Sequence, residues 1–340
     1  MNVGHGMGGE RHIETVHPDH TRVVSWARHA GYVERPLRPG YVSRTYLAGT
    51  RTYVHVYRAY VYRGVTYYRY VPGVYYGRRF YGWAWNPWPA AAVFAWRWRG
   101  TPWFDYYAGY FAPAPAYPTA ALWLTDYLLA ENLQRAYAEQ DGPPPATSPG
   151  GNLLTPEVKD QIADEVRLQI GAEYAAANQT ASQPAPAADQ TPVGLDPNQR
   201  IFVVSTPLTV NEGTGECGLT PGDVIARTNY TTISARNTVS VKVLASKPGD
   251  CPVNSAAEVD LTALQEMHNQ FLEVVDNGLR MLAESQSKDG LPAGPPAEMR
   301  QAAEGQAAPD SFDSVDSALA EQQQEANQAL QEIRQPGSGG

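Results

Sequence analysis

Aromatic and charged residues are distributed so unevenly along this 340-residue chain that its two halves must fold in different ways. Ten of the 21 Tyr lie between Tyr53 and Tyr81, and seven of the eight Trp lie between Trp83 and Trp123. Residues 1–104 contain 14 Arg, no Lys and four acidic residues, whereas the remaining 236 residues contain 12 basic and 31 acidic residues. We therefore expect a basic aromatic half and an acidic half that attract each other, within one molecule or between molecules.

The Tyr-rich stretch predicts an antiparallel β meander over residues 43–81. Tyr or His alternates with Val in Arg51–Tyr57, and a period of two indicates a strand, as it does in Val65–Val71. Arg63-Gly64 predicts a tight turn, and Pro72-Gly73 predicts a type II turn in which Gly takes the positive φ. Two short strands are expected to follow, Val74–Tyr76 and Arg79–Tyr81. The stretch belongs to a predicted module of residues 41–140, after a flexible segment of residues 1–40.

Repeated Pro and Gly after Tyr81 exclude a long helix or a central strand and predict an irregular aromatic wrap. One interpretation is a binding platform, in which Trp faces stack on sugars or bases while Arg holds phosphate or carboxylate. The other is that the Trp side chains form the core of a sheet with few aliphatic residues. We expect most of them to be buried, with one or two at the rim beside Arg. The candidate surface consists of Trp83, Trp85, Trp88, Trp96, Arg97, Trp98, Arg99 and Trp103.

Two helices are predicted next. Thr119 caps a helix over residues 120–140, which packs through Trp123 against the aromatic region, with Asp126 and Glu131 as solvated acids. A second, amphipathic helix over residues 153–177 lies between linkers, within residues 141–198. Its apolar residues recur every four positions, so the helix needs a partner. That partner is either the aromatic half or the same helix of a second copy, which would self-associate.

Residues 199–285 predict a small β barrel or roll followed by a helix, Asp260–Glu284, with His268 as a core residue. Cys217 and Cys251 each lie beside a turn, which favours a structural disulfide over two buried thiols. Residues 286–340 are expected to be a mostly disordered tail with a helix over residues 316–333. The fold class is thus α+β and multi-part. The strands of the β domain are predicted at Ile201–Val204, Val239–Leu244 and Val253–Val259, and Leu219–Ile225 is predicted to be a turn that leads into a further strand.

Short motifs in the chain resemble known families. Gly218-Leu-Thr-Pro-Gly-Asp-Val-Ile225 resembles the turn and following strand of bacterial SH3-like barrels and, more briefly, a stretch of PDZ domains. The segments Gly82–Trp88 and Leu154–Val166, taken together with this one, resemble uncharacterised Tyr/Trp-rich bacterial envelope proteins. The resemblance implies a periplasmic, outer-envelope or secreted location, but it implies no activity. Met1–His20 has no apolar core of a signal peptide, so we expect the start to be an internal Met of a longer reading frame.

Motifs for catalysis are missing from the sequence, since it has no phosphate-binding Gly-rich loop, no HExxH and no nucleophile elbow. No catalytic residue, cofactor or metal is therefore predicted, and no apolar run reaches the ~18 residues of a membrane span. We expect a non-catalytic secreted or cell-envelope scaffold or adaptor. The alternative is a module that binds an anionic polymer through Arg and Trp of residues 51–104. Its partner would be a cell-wall or extracellular polysaccharide, in preference to a nucleic acid. An enzyme of unrecognised type is the third possibility.

Overall fold

The structure is a computed structural model of a mixed α+β protein. Contacts between Cα atoms divide the chain into two compact units. The first unit consists of residues 1–59 and 303–340, and the second consists of residues 60–302. The structure describes residues 2–5, 11–27, 30–48, 51–138, 154–177, 191–212, 215–228, 237–302 and 305–334.

The secondary-structure elements are numbered in chain order. The strands of the first sheet are β1 (Asn2–His5), β2 (Arg11–Val16), β3 (Arg22–Ala27), β4 (Ala30–Arg38), β5 (Tyr41–Ala48), β6 (Arg51–Tyr62) and β7 (Val65–Val71). The other strands are β8 (Val74–Tyr76), β9 (Ile201–Val203), β10 (Leu208–Glu212), β11 (Gly215–Leu219), β12 (Val224–Arg227), β13 (Thr238–Ala245), β14 (Ala256–Asp260) and β15 (Met299–Gln301). The helices are α1 (Arg78–Trp85), α2 (Pro102–Tyr106), α3 (Ala120–Ala138), α4 (Pro156–Ala177), α5 (Leu261–Ser285) and α6 (Phe312–Arg334).

Paired charges line one face of the sheet in the first unit. Glu14, Arg22, Glu34 and Arg44 lie on the neighbouring strands β2, β3, β4 and β5. Arg22 Nε is 2.7 Å from Glu14 Oε1, and Arg44 Nε is 2.7 Å from Glu34 Oε2. Strands β2, β3 and β4 lie within residues 1–40, for which the sequence predicts a flexible segment. A half-buried strand is recognised by apolar residues at every second position. In these strands paired charges occupy some of those positions, so the sequence does not show the pattern.

Helix α6 packs on the other face of this sheet. Val315 and Leu319 of the helix form an apolar cluster with Val23 and Val33. Gln322 is 3% exposed, and its Nε2 donates to Val23 O at 2.7 Å. The predicted helix of residues 316–333 thus begins four residues earlier, at Phe312, and it is packed rather than part of a loose tail.

A charge contact links the two ends of the chain within the first unit. Arg35 Nε lies 3.1 Å from Asp310 Oδ2. Arg35 belongs to the basic half and Asp310 to the acidic half. Of the two forms of attraction that the sequence allows, the structure therefore contains the one within a single molecule.

The β6–β7 hairpin turns at Arg63-Gly64, as predicted. Arg63 has φ of 49° and Gly64 has φ of 80°, and two positive values suit the tight turn that matches strand twist. Tyr60 and Tyr67 stack across the hairpin with ring centroids 5.6 Å apart. Both side chains join the apolar core of the second unit.

The meander ends at β7, so its predicted continuation is wrong. Strand β8 pairs with β15, and Gly73 lacks the positive φ of the predicted type II turn. The predicted strand Arg79–Tyr81 lies in α1, in which Phe80, Tyr81 and Ala84 are buried. Aromatic residues at helical spacing give α1 one buried face, and this spacing cannot be recognised in a three-residue window.

Helices α3 and α4 pack against each other in the second unit. Thr119 Oγ1 accepts from Leu122 N at 3.2 Å, which confirms the predicted cap of α3. The apolar residues that recur every four positions of α4 face the interior, since Val166 and Ile170 are each 0% exposed. Helix α4 also contacts α1, which belongs to the aromatic half, so this half supplies part of the partner surface that α4 needs. The linkers predicted on either side fall mostly on residues 139–153 and 178–190, which lie outside the described residues.

The acidic half contains a curled antiparallel sheet of six strands, in the order β11-β10-β14-β13-β12-β9. Strands β9, β13 and β14 and helix α5 overlap predicted elements, and β12 follows the predicted turn, whereas β10 and β11 have no predicted counterpart. The disulfide prediction is confirmed, because Cys217 and Cys251 are bonded with their Cα atoms 5.1 Å apart. Residues 213–214, between β10 and β11, lie outside the described residues.

Candidate polymer-binding surface

The eight residues of the predicted surface differ in burial. Within the second unit, two are buried, three are half-buried and three are exposed: Trp88 and Trp103; Trp83, Trp96 and Trp98; and Trp85, Arg97 and Arg99, respectively. The structure therefore does not bring all of them to one solvent-facing platform. Among these eight positions, Trp98 is the one indole with an exposed Arg on both sides in the sequence.

Four aromatic rings form a stacked column that ends near the surface. Trp98 stacks on Trp96 with centroids 3.8 Å apart, and Trp96 stacks on Trp123 at 4.9 Å. Trp123 then stacks on Tyr127 at 5.7 Å. Trp123 is 0% exposed, whereas Trp98 is half-buried, so the column anchors the outer indole on the core of α3. The prediction that α3 packs through Trp123 against the aromatic region is confirmed.

A turn presents Arg99 beside the column. Thr101 N donates to Trp98 O at 3.0 Å, and Thr101 Oγ1 donates to the same oxygen at 2.6 Å. Gly100 between them has φ of 78°, which a residue with a side chain rarely adopts. Arg97 and Arg99 are exposed on either side of Trp98. The Trp98 ring also contacts Trp103 and Phe111, with centroids 5.7 and 6.0 Å apart. This arrangement therefore offers the exposed part of one ring and two cations for an anionic group.

Trp85 lies on helix α4 instead. A Cβ atom at Gly171 would be 2.8 Å from Cζ3 of the Trp85 ring, so only glycine lets the ring lie this close to α4. Trp85 is 39% exposed despite this contact. The contact of the Trp85 ring with α4 explains why Gly171 lies in the interior of a helix, where glycine otherwise lowers stability.

Trp83 and Trp88 form a separate stacked pair. Their ring centroids are 5.4 Å apart, and the planes are inclined by 29°. Their buried indole N–H groups, like that of Trp123, have no hydrogen-bond partner among the described residues. By contrast, Trp96 Nε1 donates to Tyr117 OH at 2.7 Å.

Asp126 is buried in an ion pair, so its interpretation as a solvated acid is wrong. Its carboxylate is 2.6 Å from Lys159 Nζ of α4, and it accepts from Tyr117 OH at 2.7 Å and from Ala114 N at 2.6 Å. Lys159 also donates to Ala112 O. Burial of a carboxylate is favourable only when such donors surround it. The sequence does not indicate this ion pair, because Lys159 lies 33 residues from Asp126.

A second buried ion pair lies beside the disulfide. Lys247 Nζ is 2.5 Å from Asp223 Oδ1, and Asp223 is 0% exposed. Burial raises the pKa of the Asp223 carboxyl, whereas the positive charge of Lys247 opposes this rise. Lys247 also donates to Pro221 O at 3.1 Å. The pair therefore ties two turns of the β domain together.

Glu173 of α4 is a buried acid that accepts two side-chain hydrogen bonds. Its Oε1 accepts from Gln169 Nε2 at 2.9 Å, and its Oε2 accepts from Tyr81 OH at 3.2 Å. Burial, with a smaller contribution from the charge of Asp276, raises the pKa of Glu173 to about 8. Glu173 is therefore mostly protonated at neutral pH.

His268 lies on α5, in the helix where the sequence predicts it to be a core residue. Burial, followed by the nearby charge of Arg69, lowers the pKa of His268 to about 3, so its ring is neutral. The ring stacks on Phe271 with centroids 5.8 Å apart. Over the residues that the structure describes, no group of three or more His, Cys, Asp or Glu could hold a metal ion.

Among the described helices, none is long and apolar enough to cross a membrane. The buried ion pairs and Glu173 have no local signal in the sequence, whereas the arginines beside Trp98 are recognisable from the sequence. Comparison with protein-family models, with curated proteins and with solved structures finds no match to this chain.

Proposed function

We propose that the protein is a non-catalytic scaffold or adaptor of the cell envelope or of the secreted space. The observation that carries this proposal is the Cys217–Cys251 disulfide. Structural disulfides persist in oxidising compartments and are rare in the cytosol. The expected periplasmic, outer-envelope or secreted location is part of the same proposal.

The use of ionisable groups supports a structural role. Asp126 is paired with Lys159, and Asp223 is paired with Lys247, each with further donors around the carboxylate. Groups that satisfy one another in this way stabilise a specific fold and leave no free acid or base at those positions for chemistry. A scaffold requires such a rigid, internally satisfied interior.

We infer that the curled six-stranded sheet is a small barrel or roll of the SH3-like kind. Its support is the turn Thr220–Asp223, which joins β11 to β12 at the place where the resembling motif requires it. The relation to Tyr/Trp-rich envelope proteins is proposed on the motifs given above.

Native isolation tests the scaffold role. The full chain is purified without denaturant from the envelope and secreted fractions of the cell that makes it, and its mass is measured by light scattering. A scaffold is expected in a complex of fixed stoichiometry that survives buffer exchange. Recovery only as a free single chain from the cytoplasm would contradict the proposal.

A second candidate function is binding of an anionic polymer. The specific observation that favours it is the half-buried Trp98, anchored on Trp96 and flanked by exposed Arg97 and Arg99. A ring of this kind contributes roughly 1–3 kcal/mol when it stacks on a base or a sugar. A carboxylated or sulfated glycan fits both the ring and the two cations.

The test is retention on an immobilised anionic polysaccharide. Arg97→Ala/Arg99→Ala should fold like the parent, because exposed charges contribute little to stability. If the polymer function is right, this variant loses retention, and so does Trp98→Ala. Lys242→Ala/Arg200→Ala is the control, since it removes the same charge elsewhere on the exposed surface of the second unit. Equal retention by all four proteins would leave the scaffold role alone.

A further inference from the structure

The two carboxylate oxygens of Asp126 have different partners. Asp126 Oδ2 accepts from Ala114 N at 2.6 Å and from Tyr117 OH at 2.7 Å. Asp126 Oδ1 lies 2.6 Å from Lys159 Nζ, which is its one hydrogen-bond partner among the described residues. Lys159 Nζ has one further acceptor in the same part of the chain, Ala112 O. One oxygen of the carboxylate is thus held by two donors, and the other faces the amino group alone.

The pair is closed off from water in apolar surroundings. The side chains of Lys159 and Asp126 are 7% and 0% exposed. Lys159 Nζ lies 4.9 Å from the centroid of the Phe111 ring, and Phe111 is 0% exposed. Two charges in such a place attract each other, but their removal from water is costly. A neutral covalent bond between the same two groups removes that cost, and the exclusion of water protects the bond from hydrolysis.

The contacts of the pair are the ones that an amide between Lys159 Nζ and Asp126 Cγ needs. Such an amide has one N–H group, for which Ala112 O is the acceptor. Its carbonyl oxygen is Oδ2, for which Ala114 N and Tyr117 OH are the donors. The oxygen that is eliminated is Oδ1, which no described residue other than Lys159 holds. Every hydrogen bond of the product is therefore in place before the bond forms.

We propose that Lys159 and Asp126 condense to an intramolecular isopeptide bond, which joins α4 to α3 covalently. The ammonium group transfers one proton to Oδ1, and the resulting amine attacks Cγ with its lone pair. The negative charge that develops on Oδ2 is stabilised by Ala114 N and Tyr117 OH, which already point at this oxygen. A second proton passes from the nitrogen to the Oδ1 hydroxyl, the Cγ–Oδ1 bond breaks, and water leaves while the Cγ–Oδ2 double bond forms again.

This step needs no oxidant, reductant or other reactant, because the two side chains supply all the atoms. The 2.6 Å separation of Nζ and Oδ1 holds the amine next to the carbon that it attacks. The bond consumes both groups, so neither remains as a free acid or base. The inference does not depend on the scaffold role or on the surface around Arg97 and Arg99.

Tyr117 is polarised for its part in this step. Trp96 Nε1 donates to Tyr117 OH at 2.7 Å, and Tyr117 OH donates in turn to Asp126 Oδ2. Hydrogen bonds in such a chain strengthen one another. The indole of Trp96 therefore makes the Tyr117 hydroxyl a better donor to the oxygen on which charge develops.

The other buried pair of the second unit, Lys247 with Asp223, differs in the feature that matters. Four oxygens surround Lys247 Nζ: Asp223 Oδ1 at 2.5 Å, Pro221 O at 3.1 Å, Thr220 O at 3.3 Å and Asp250 Oδ2 at 3.5 Å. Such a set suits the three hydrogens of an ammonium group, whereas an amide has a single N–H group. Asp223 Oδ1 also accepts from Lys247 N at 3.1 Å, so it is not free to leave. We expect this pair to stay ionic.

The mass of the intact full chain tests the proposal. The protein is incubated in native buffer, then reduced, denatured and measured by mass spectrometry. Its mass is expected to be lower than that of the sequence by one water molecule, not two, because only one of the two pairs condenses. A tryptic peptide with two amino termini, Gly100 and Ala136, locates the branch between Asp126 and Lys159, since each of these termini follows an arginine.

Three variants separate the proposed reaction from other losses of water. Lys159→Arg keeps a cation without an attacking amine, so it should keep its full mass. Tyr117→Phe keeps the ring but removes one donor to Oδ2, so condensation, followed from cell-free synthesis onward, should be about a hundredfold slower. Tyr137→Phe is the matched control, because Tyr137 also lies on α3 and its hydroxyl has no hydrogen bond to a described residue. It should condense at the rate of the parent.

If Lys159→Arg does not fold, the comparison of Tyr117→Phe with Tyr137→Phe decides. The proposal is overturned if the parent keeps its full mass. It is also overturned if Lys159→Arg loses the same water, as a chain with a succinimide at an aspartate would, or if Tyr117→Phe condenses as fast as Tyr137→Phe.

Discussion

Lys247 and Asp223 form an ion pair that connects two turns, each with the sequence Pro-Gly-Asp. The residue that precedes each turn binds the aspartate that ends the other turn. Lys247 precedes Pro248-Gly-Asp250 and lies 2.5 Å from Asp223, the last residue of Pro221-Gly-Asp223. Thr220, which precedes the first turn, donates its hydroxyl to Asp250 at 2.6 Å. The Cys217–Cys251 bond closes the same region, and Cys251 N donates to Gly218 O at 2.7 Å. The two turns are thus interlocked by charge, by hydrogen bonds and by a covalent bond.

Removal of Lys247 should destabilise the protein strongly. Lys247→Met leaves the carboxylate of Asp223 buried without its cation, and a broken buried pair costs about 3–5 kcal/mol. Lys247→Met/Asp223→Asn removes both charges and should recover a large part of that loss. Urea unfolding midpoints measure both variants, with Lys242→Met on the exposed side of β13 as the control. Equal midpoints for Lys247→Met and the control would refute the buried pair.

Loss of the disulfide should lower stability by a similar amount. Its sulfurs join residues 34 positions apart, and closing a loop of that length restricts the unfolded chain by about 4 kcal/mol in the chain-entropy model. Cys217→Ser/Cys251→Ser, measured by urea unfolding, should show this loss, and dithiothreitol should then have no further effect on it. A parent protein whose midpoint is insensitive to reductant would contradict the prediction.

Glu173 should make stability depend on pH. Its folded pKa of about 8 is above the ordinary value of 4.5, so the folded state holds the proton more tightly than the unfolded state. The resulting stabilisation is fully present below about pH 4.5 and is lost as the pH rises through 8, on the order of 3–5 kcal/mol in total. Unfolding free energies across this window should fall in the parent and fall less in Glu173→Gln. The exposed Glu216→Gln is the control, and a parallel decline in all three proteins would contradict this origin.

Gly31 should be intolerant of any side chain. A Cβ atom there would lie 2.1 Å from Val24 O on β3 and 2.8 Å from Leu319 of α6. Gly31→Ala forces backbone apart and should cost about 3 kcal/mol, the upper part of the usual range for overpacking. Gly82→Ala is the matched control, since nothing lies within 4 Å of its Cβ position in α1 and the change should stabilise the helix. Thermal unfolding of both variants should show shifts of opposite sign.

The sequence predicts elements whose signals are local. The Arg63-Gly64 hairpin and the Thr119 cap of α3 depend on neighbouring residues, and both are present. The disulfide is an exception, since its two cysteines are far apart in sequence, but they are the two cysteines of the chain. Local chemistry is therefore enough for turns, caps and single elements.

Interactions between distant residues account for what the sequence misses. The ladder that includes Glu34 and Arg44 replaces apolar residues with paired charges, so β2–β4 do not show the alternation of a half-buried strand. Asp126 is read as solvated because its partner Lys159 is on another helix. At the candidate surface, residue types indicate a ring beside two cations, but only the fold shows that Trp98 is the ring stacked on Trp96.

The oxidation state of Cys217 and Cys251 in the living cell tests the central claim most directly. Intact cells are quenched in acid, and free thiols are labelled with a maleimide polymer that adds visible mass, before and after reduction. The account predicts no labelling before reduction and labelling of both cysteines after it, with the protein in the envelope or secreted fraction. Immediate labelling of both cysteines in protein from freshly quenched cells would contradict a disulfide-closed scaffold in an oxidising compartment.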